Sequence, residues 1–529
     1  MLLQDIITRG AERDPQAIAL IFRDQPMTYG ELAVMVERLS AGFLALGIEA
    51  GDRIGLLLPN CPPFVWAYFA AAQAGAIVVP VNPLLKPAEL AYIWRDAAIK
   101  AVVTVGPLLP LVQAARQNLP ALSHVFSITP SEELDPSHTE IQGLHSLKDA
   151  ITLGVYNPAR SQILAIHEQT APEDCAVIIY TSGTTGHPKG AMLSHKNLTR
   201  NVEQIQARLQ FLPNDRFLTV IPLFHAFAAT VCMNTCLHTG CTSILLENFA
   251  PTRTMETIAK HRATIFPSVP AIFNAILNLP REQAGDTSSL RVFVSGGAPL
   301  PASTLDALEQ RFGVPVLEGD GPTECSPVTS VNPLDGPRKV GSVGPALPGV
   351  EVAIFDDNEM PLPVDTIGEI VVRGDNVMVG YLNQPEATQE TMTGGWYHTG
   401  DLGKIDADGY IFIVDRKKDM IITAGLNVYP REIEEVLLTH PGVADVAVIG
   451  QPDALRGEET LAVVVRRVRE DAEPVQEREL LRYCRELLAN YKVPRHVLFR
   501  DTLPRGATGK VVKRLLKKEL ELESNTSEG

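Results

Sequence analysis

Tyr180-Thr-Ser-Gly-Thr-Thr-Gly-His-Pro-Lys-Gly190 sets five hydroxyls and three glycines between the β-rich run Ala176 to Tyr180 and the short apolar segment Ala191 to Leu193. Glycines let backbone N–H groups close on an anion, hydroxyls donate further hydrogen bonds, and Lys189 adds a full positive charge. This is phosphate-cradling chemistry, although the spacing differs from the Walker pattern G-x-x-x-x-G-K-[ST]. A flexible Ser/Thr/Gly surface loop is the alternative, and the Pro-Lys-Gly ending argues against it.

Outward from this loop, short apolar runs alternate with helical patterns. Ile54 to Leu58, Ala101 to Val105, Phe217 to Ile221, Ser243 to Leu246 and Arg291 to Ser295 read as strands. Lys196 to Leu209, Arg253 to Arg262 and Ala302 to Phe312 read as amphipathic helices. Such alternation predicts β-α-β units with parallel sheets. After Gly341 the strand-like pieces Val350 to Phe355, Gly368 to Arg373 and Gly409 to Val414 are separated by Gly, Pro and Asp turns. The expected fold is therefore α/β: a large N-terminal domain of parallel sheets over 1–414, with a small β-rich subdomain over about 341–414. A mobile α+β C-terminal domain follows over 415–529, with its hinge at Asp415 in Asp-Arg-Lys-Lys-Asp419. The acidic tail from Glu519 is expected to fray.

Composition narrows the function. A chain of 529 residues is too long for one core. A net charge of −16 without a basic stripe argues against nucleic acid as a partner. The seven cysteines have no secreted-scaffold spacing, and Met1 to Pro15 lacks a signal peptide's apolar stretch, so a reducing, cytoplasmic compartment is expected. Phe64 to Val81 is apolar enough to imitate a membrane span, but Gln73 interrupts it and Pro80 ends it. A buried helix leading into a strand is the expectation, with no transmembrane segment. This leaves room for peripheral membrane contact and for a homodimer. Cys232, Cys236 and Cys241, near His225 and His238, lack a paired knuckle and read as buried thiols in place of zinc ligands.

The glycine-rich run resembles the nucleotide signature of the adenylate-forming superfamily, the acyl-CoA synthetases and their relatives. Further landmarks recur in family order from Thr28 to Lys510. By this resemblance Thr181, Ser182, Gly183, Thr184, Thr185, Gly186 and Lys189 cradle the phosphates of ATP, and Thr184 helps orient Mg2+ and pyrophosphate. Ser295-Gly-Gly-Ala298 is similar to the segment lining the adenine and acyl-adenylate pocket, so Gly296, Gly297 and Ala298 are candidate contacts.

Asp320-Gly-Pro-Thr-Glu324 resembles the family's Y-G-x-T-E. It implies an α-phosphate contact for Thr323 and a Mg2+ ligand in Glu324, a hard oxygen donor for a hard cation. Asp320, with Gly321 beside it, stands where the family usually has a tyrosine that stacks on adenine. An aspartate cannot stack, so weakened or altered ATP affinity with retained catalysis is expected.

Trp396-Tyr-His-Thr-Gly-Asp401 looks like W-x-x-T-G-D, which implies that Asp401 accepts both ribose hydroxyls. Arg416 then reaches the ribose or the α-phosphate. Pro504-Arg-Gly-Ala-Thr-Gly-Lys510 resembles P-R-x-x-x-G-K, which makes Lys510 the cation bridging carboxylate and α-phosphate during activation. Pro222-Leu-Phe-His225 resembles the segment before the acyl pocket, where His225 gates the carboxylate entrance. Gly425-Leu-Asn-Val-Tyr-Pro-Arg-Glu-Ile-Glu434 looks like the loop presented for thioester formation, with Gly425 against the pantetheine arm of CoA.

The implied activity is a two-step ligation of a small-molecule carboxylic acid, ATP and CoA, and the motifs look most like fatty acyl-CoA synthetases. An aryl-acid CoA ligase and an acyl-AMP ligase feeding a carrier protein share most of these motifs. A peptide-synthetase adenylation domain is disfavoured because no carrier domain follows. A non-catalytic nucleotide or acyl sensor, motivated by Asp320, is opposed by Glu324, Asp401, Arg416 and Lys510.

Overall fold

The computed structural model describes residues 1–117, 119–129, 141–157, 159–181, 188–423, 426–453, 456–467, 473–505 and 511–527. The chain divides into two compact units, one of Met1–Leu300, Thr304–Val352 and Val372–Tyr397, the other of Pro301–Ser303, Ala353–Val371 and His398–Gly529.

Two eight-stranded sheets organise the first unit. One runs Ser330–Val331, Val316–Asp320, Val292–Ser295, Ile265–Ser268, Arg216–Thr219, Thr242–Leu245, Ile18–Phe22, Gln25–Thr28. It is parallel except at its two edge pairings. The other runs Gly380–Tyr381, Lys189–Ser194, Cys175–Thr181, Ile77–Pro80, Arg53–Leu57, Ala101–Thr104, His124–Ser127, Leu144–Ser146. It is parallel from Cys175–Thr181 onward and antiparallel before it. Strands such as Ala101–Thr104 and Val292–Ser295 are buried along their whole length, which explains their continuous apolar sequence.

The run that imitated a membrane span is a 12-residue helix, Pro62–Gln73, followed by the strand Ile77–Pro80. Prolines at its start supply a preset φ where no intrahelical donor is needed. At 1.5 Å per residue the helix is about 18 Å long, too short for a bilayer core of about 30 Å. It is apolar all round because it is buried nearly all round: from Phe64 to Ala72 only Trp66 is partly exposed. Among the described residues no helix is long and apolar enough to cross a membrane. All seven cysteines are free, and Cys232, Cys236 and Cys241 are buried.

Phe293 anchors the strand that leads to Ser295. Its ring packs edge-on to Phe273 at 5.5 Å and 85° and lies 5.8 Å from Phe266. Such aromatic pairs add about 0.5–1.5 kcal/mol each beyond burial. The helix His195–Leu209 opens with a capping box in which Ser194 accepts from Asn197 N–H and Asn197 returns the bond to Ser194 N–H. The Asn197 amide also donates to the carbonyls of Asp375 and Val377, tying this helix to the approach to Gly380–Tyr381.

The second unit carries the sheet Leu426–Val428, Ile421–Thr423, Gly457–Arg466, Val443–Asp453, with His496–Arg500 parallel to Gly457–Arg466. Helices Pro430–Leu438 and Glu477–Leu487 turn Ile433, Leu437, Leu480 and Cys484 into its core. Among the described residues the acidic stretch from Glu519 is helical. It continues the helix Lys513–Ser527, where Glu519 and Glu523 pair with Arg500.

Candidate active site

In the first unit, Thr181 and Lys189 face each other as partners in the last pairing of the strands Cys175–Thr181 and Lys189–Ser194. They form the two posts of the glycine-rich loop. The calls for nucleotide contacts at Ser182, Gly183, Thr184, Thr185 and Gly186 fall outside the described residues, as do Gly425 and Lys510.

Thr181 Oγ1 donates to Glu324 Oε1 at 3.1 Å, and the Tyr381 hydroxyl donates to the same oxygen at 3.0 Å. Glu324 is only 7% exposed. It sits in the short helical turn Thr323–Cys325, which is held from behind by Met378 N–H on Glu324 O and by the Asn376 amide on Cys325 O. Thr323, half-buried, opens that turn. Gly321 just before it could not be any larger residue, since a Cβ would lie 1.6 Å from Pro327 O. Asp320 ends the strand Val316–Asp320, its carbonyl accepting from both Thr329 N–H and Thr329 Oγ1.

The Lys189 ammonium, nearly buried, lies 5.1 Å above the ring of Tyr381. Tyr397, also buried, neighbours Tyr381, and each phenol influences the other's ionisation. Burial first, and then the Glu324 carboxylate, push both phenols above the ordinary tyrosine value, so both stay protonated donors at neutral pH.

His225 is half-buried, 4.4 Å from the Phe224 ring, and leads into the buried π-helix Ala228–Thr235. Thr230 in that helix donates to Ser326 O at 2.8 Å, which brings it beside the Glu324 turn. Phe227 packs its ring against Gly296, and Gly297 adopts φ +76°, a conformation favouring glycine. Ala298, half-buried, follows. Thus Thr181, Lys189, Gly296, Gly321, Thr323 and Glu324 gather around the carboxyl ends of parallel strands, where open α/β sheets place their ligands.

The second unit holds its own cluster. Asp401 and Arg416 are cross-strand partners, with Arg416 Nε 2.8 Å from Asp401 Oδ1. Thr399 Oγ1 accepts from Asp401 N–H. Asp415 accepts from Arg416 N–H with one oxygen and, with the other, from Arg431 N–H in the first turn of Pro430–Leu438. A carboxylate there stabilises the helix N-terminus. Lys513 Nζ lies 2.8 Å from Glu434 Oε1, and burial pushes the Glu434 carboxyl above its ordinary value.

Sequence reasoning missed Tyr381, Tyr397, Asn376 and Lys513. Tyr381 meets Glu324 across 57 residues of chain, a separation no local spacing rule registers.

Residues 7–382 match the family described as AMP-binding enzyme, and residues 432–510 match the AMP-binding enzyme C-terminal domain. The long-chain-fatty-acid–CoA ligase of Bacillus subtilis (strain 168) is 35% identical over 98% of this chain and 94% of its own length. A feruloyl-CoA synthase from an Amycolatopsis species is 37% identical over 96% of each chain. Among solved structures, ATP-bound MatB from Rhodopseudomonas palustris superposes with a TM-score of 0.86 at 34% identity, covering 98% of this chain and 99% of its own. The chain belongs to the adenylate-forming AMP-binding enzymes. Its activity is that of an AMP-forming acyl-CoA ligase, an acid–thiol ligase dependent on ATP and CoA.

Proposed function

We propose that the acid is a medium- or long-chain fatty acid, activated as acyl-AMP with release of pyrophosphate and then transferred to CoA. The observation that carries this reading is the near full-length likeness to the Bacillus subtilis long-chain-fatty-acid–CoA ligase. An aryl acid is the second reading, favoured by the likeness to feruloyl-CoA synthase.

Activation sets an anionic carboxylate against an anionic α-phosphate, so the site must supply positive charge. Lys189 stands at the phosphate loop and Lys510 bridges the reacting groups. Thr323 holds the α-phosphate, His225 guards the entry of the acid, and Asp401 with Arg416 holds the ribose.

Glu324 fits a Mg2+ ion on its donor chemistry. Its carboxylate is buried beside Thr181 Oγ1, and its hydrogen bonds from described side chains fall on Oε1, leaving Oε2 for a hard cation. Bound there with ATP, Mg2+ would offset phosphate charge. The C-terminal part turns about Asp415 between the two half-reactions, withdrawing Lys510 and presenting the Gly425 loop. Seven free thiols accord with a cytoplasmic setting.

Pyrophosphate release across C2 to C18 fatty acids and aryl acids, with and without CoA, tests this reading. Sustained, CoA-dependent release with C8 to C18 acids is expected. Preference for an aryl acid overturns the fatty-acid reading, and release capped near one equivalent despite CoA points to a carrier-protein acceptor.

A further inference from the structure

Tyr381 touches both charged members of the phosphate loop's surroundings. Its ring carries the Lys189 ammonium at 5.1 Å, and its hydroxyl donates to Glu324 Oε1 at 3.0 Å. The strand pairing of Tyr381 with Ala191, two residues from Lys189, fixes the ring on the same sheet edge as the lysine. Tyr397 is a buried neighbour of Tyr381, so a second phenol stands beside the one that holds Glu324. Tyr381 is 7% exposed and Tyr397 is 4% exposed, so both rings are shielded from bulk water.

We propose that Tyr381 is a positioning residue that sets the spacing between the Lys189 cation and the Glu324 carboxylate, with Tyr397 fixing the Tyr381 hydroxyl in place. The two donors on Oε1, Tyr381 and Thr181, hold the carboxylate in one rotation and turn Oε2 outward as a cation ligand. This rests on the reading of Glu324 as the metal-holding group. A carboxylate that must be ordered before it can ligate binds its cation more weakly, because the ordering cost falls on the binding step.

The two halves of Tyr381 separate experimentally. Tyr381→Phe keeps the ring under Lys189 and removes the bond to Glu324, whereas Tyr381→Leu removes both. Mn2+ affinity is read by electron paramagnetic resonance of free Mn2+ in the presence of a non-hydrolysable ATP analogue. Affinity for that analogue without metal is read by calorimetry in EDTA. Tyr381→Phe is expected to lower Mn2+ affinity about tenfold, the scale of a hydrogen bond to a charged group, with metal-free nucleotide affinity retained. Tyr381→Leu is expected to lower both.

Parent-like Mn2+ affinity in Tyr381→Phe overturns the proposal, and so does an equal fall of both affinities in that variant. Glu324→Gln distinguishes the premise: if it too leaves Mn2+ affinity unchanged, the reading of Glu324 fails as well. If only Glu324→Gln loses Mn2+, the role of Tyr381 alone is refuted. Should Tyr381→Phe not fold, Tyr397→Phe carries the test. A several-fold fall in Mn2+ affinity supports the coupling of the two phenols, and an unchanged value overturns it.

Discussion

Arg416 Nε lies 2.8 Å from Asp401 Oδ1, across a strand pairing in which the two residues are direct register partners. The acceptor and the cation assigned to the ribose from separate motifs therefore form one unit, held by the backbone ladder of Trp396–Ile405 and Ile411–Arg416. The Asp401 side chain is 12% exposed and that of Arg416 is 49% exposed, so the aspartate is the anchored partner and the arginine the adaptable one.

Asp401→Ala should raise KM for ATP about 10- to 100-fold, the range for losing hydrogen bonds to a charged acceptor. Steady-state kinetics with ATP varied at saturating acid measures this. An unchanged KM would remove Asp401 from the nucleotide site.

Lys510→Ala should cut acyl-AMP formation roughly a thousandfold. A charge pair at about 4 Å contributes about 4 kcal/mol at an effective dielectric constant of 20. Thioester formation from supplied acyl-AMP should stay largely intact. Equal losses in both half-reactions would contradict a role confined to activation.

Asp320→Tyr tests the departure from the family pattern. The residue ends a strand, and its carbonyl accepts from both Thr329 N–H and Thr329 Oγ1. If a missing aromatic stack limits ATP binding, the variant should lower KM for ATP roughly two- to tenfold. Parent-like kinetics would mean that the aspartate makes an equivalent contact of its own.

His195 makes the first unit sensitive to acid. Its Nδ1 accepts a hydrogen bond from Leu3 N–H at 3.0 Å, and burial lowers its value from 6.5 to about 4. Between those two values the unfolded chain binds a proton that the folded chain refuses, so stability falls as pH drops through this window. The full loss is about 3 kcal/mol. Denaturant unfolding from pH 7 to pH 4 should show this slope, and His195→Gln should flatten it. A slope identical in the variant would place the acid sensitivity elsewhere.

Much of the fold was legible before the structure. Val350–Phe355 and Ala302–Phe312 have the bounds their patterns imply, and Pro62–Gln73 followed by Ile77–Pro80 resolves the apolar run as a helix and strand. These are local properties: apolar period, proline position and turn chemistry act over a few residues. The helix through Glu519 was not legible, because what holds that acidic stretch is Arg500, on a strand.

By itself the sequence pointed to phosphate-cradling chemistry in the hydroxyl- and glycine-rich run, and the resemblance of that run, the Thr-Glu pair and the Thr-Gly-Asp segment to the family's motifs implied the reaction, because each is a short local string that needs no tertiary contact to be recognised. Only the tertiary structure decided how Glu324 is held. Thr181, Tyr381 and Glu324 come from three distant stretches and converge on one carboxylate oxygen. The reason is geometric: a side-chain hydrogen bond is made over about 3 Å of space, and folding alone sets which parts of a long chain approach that closely.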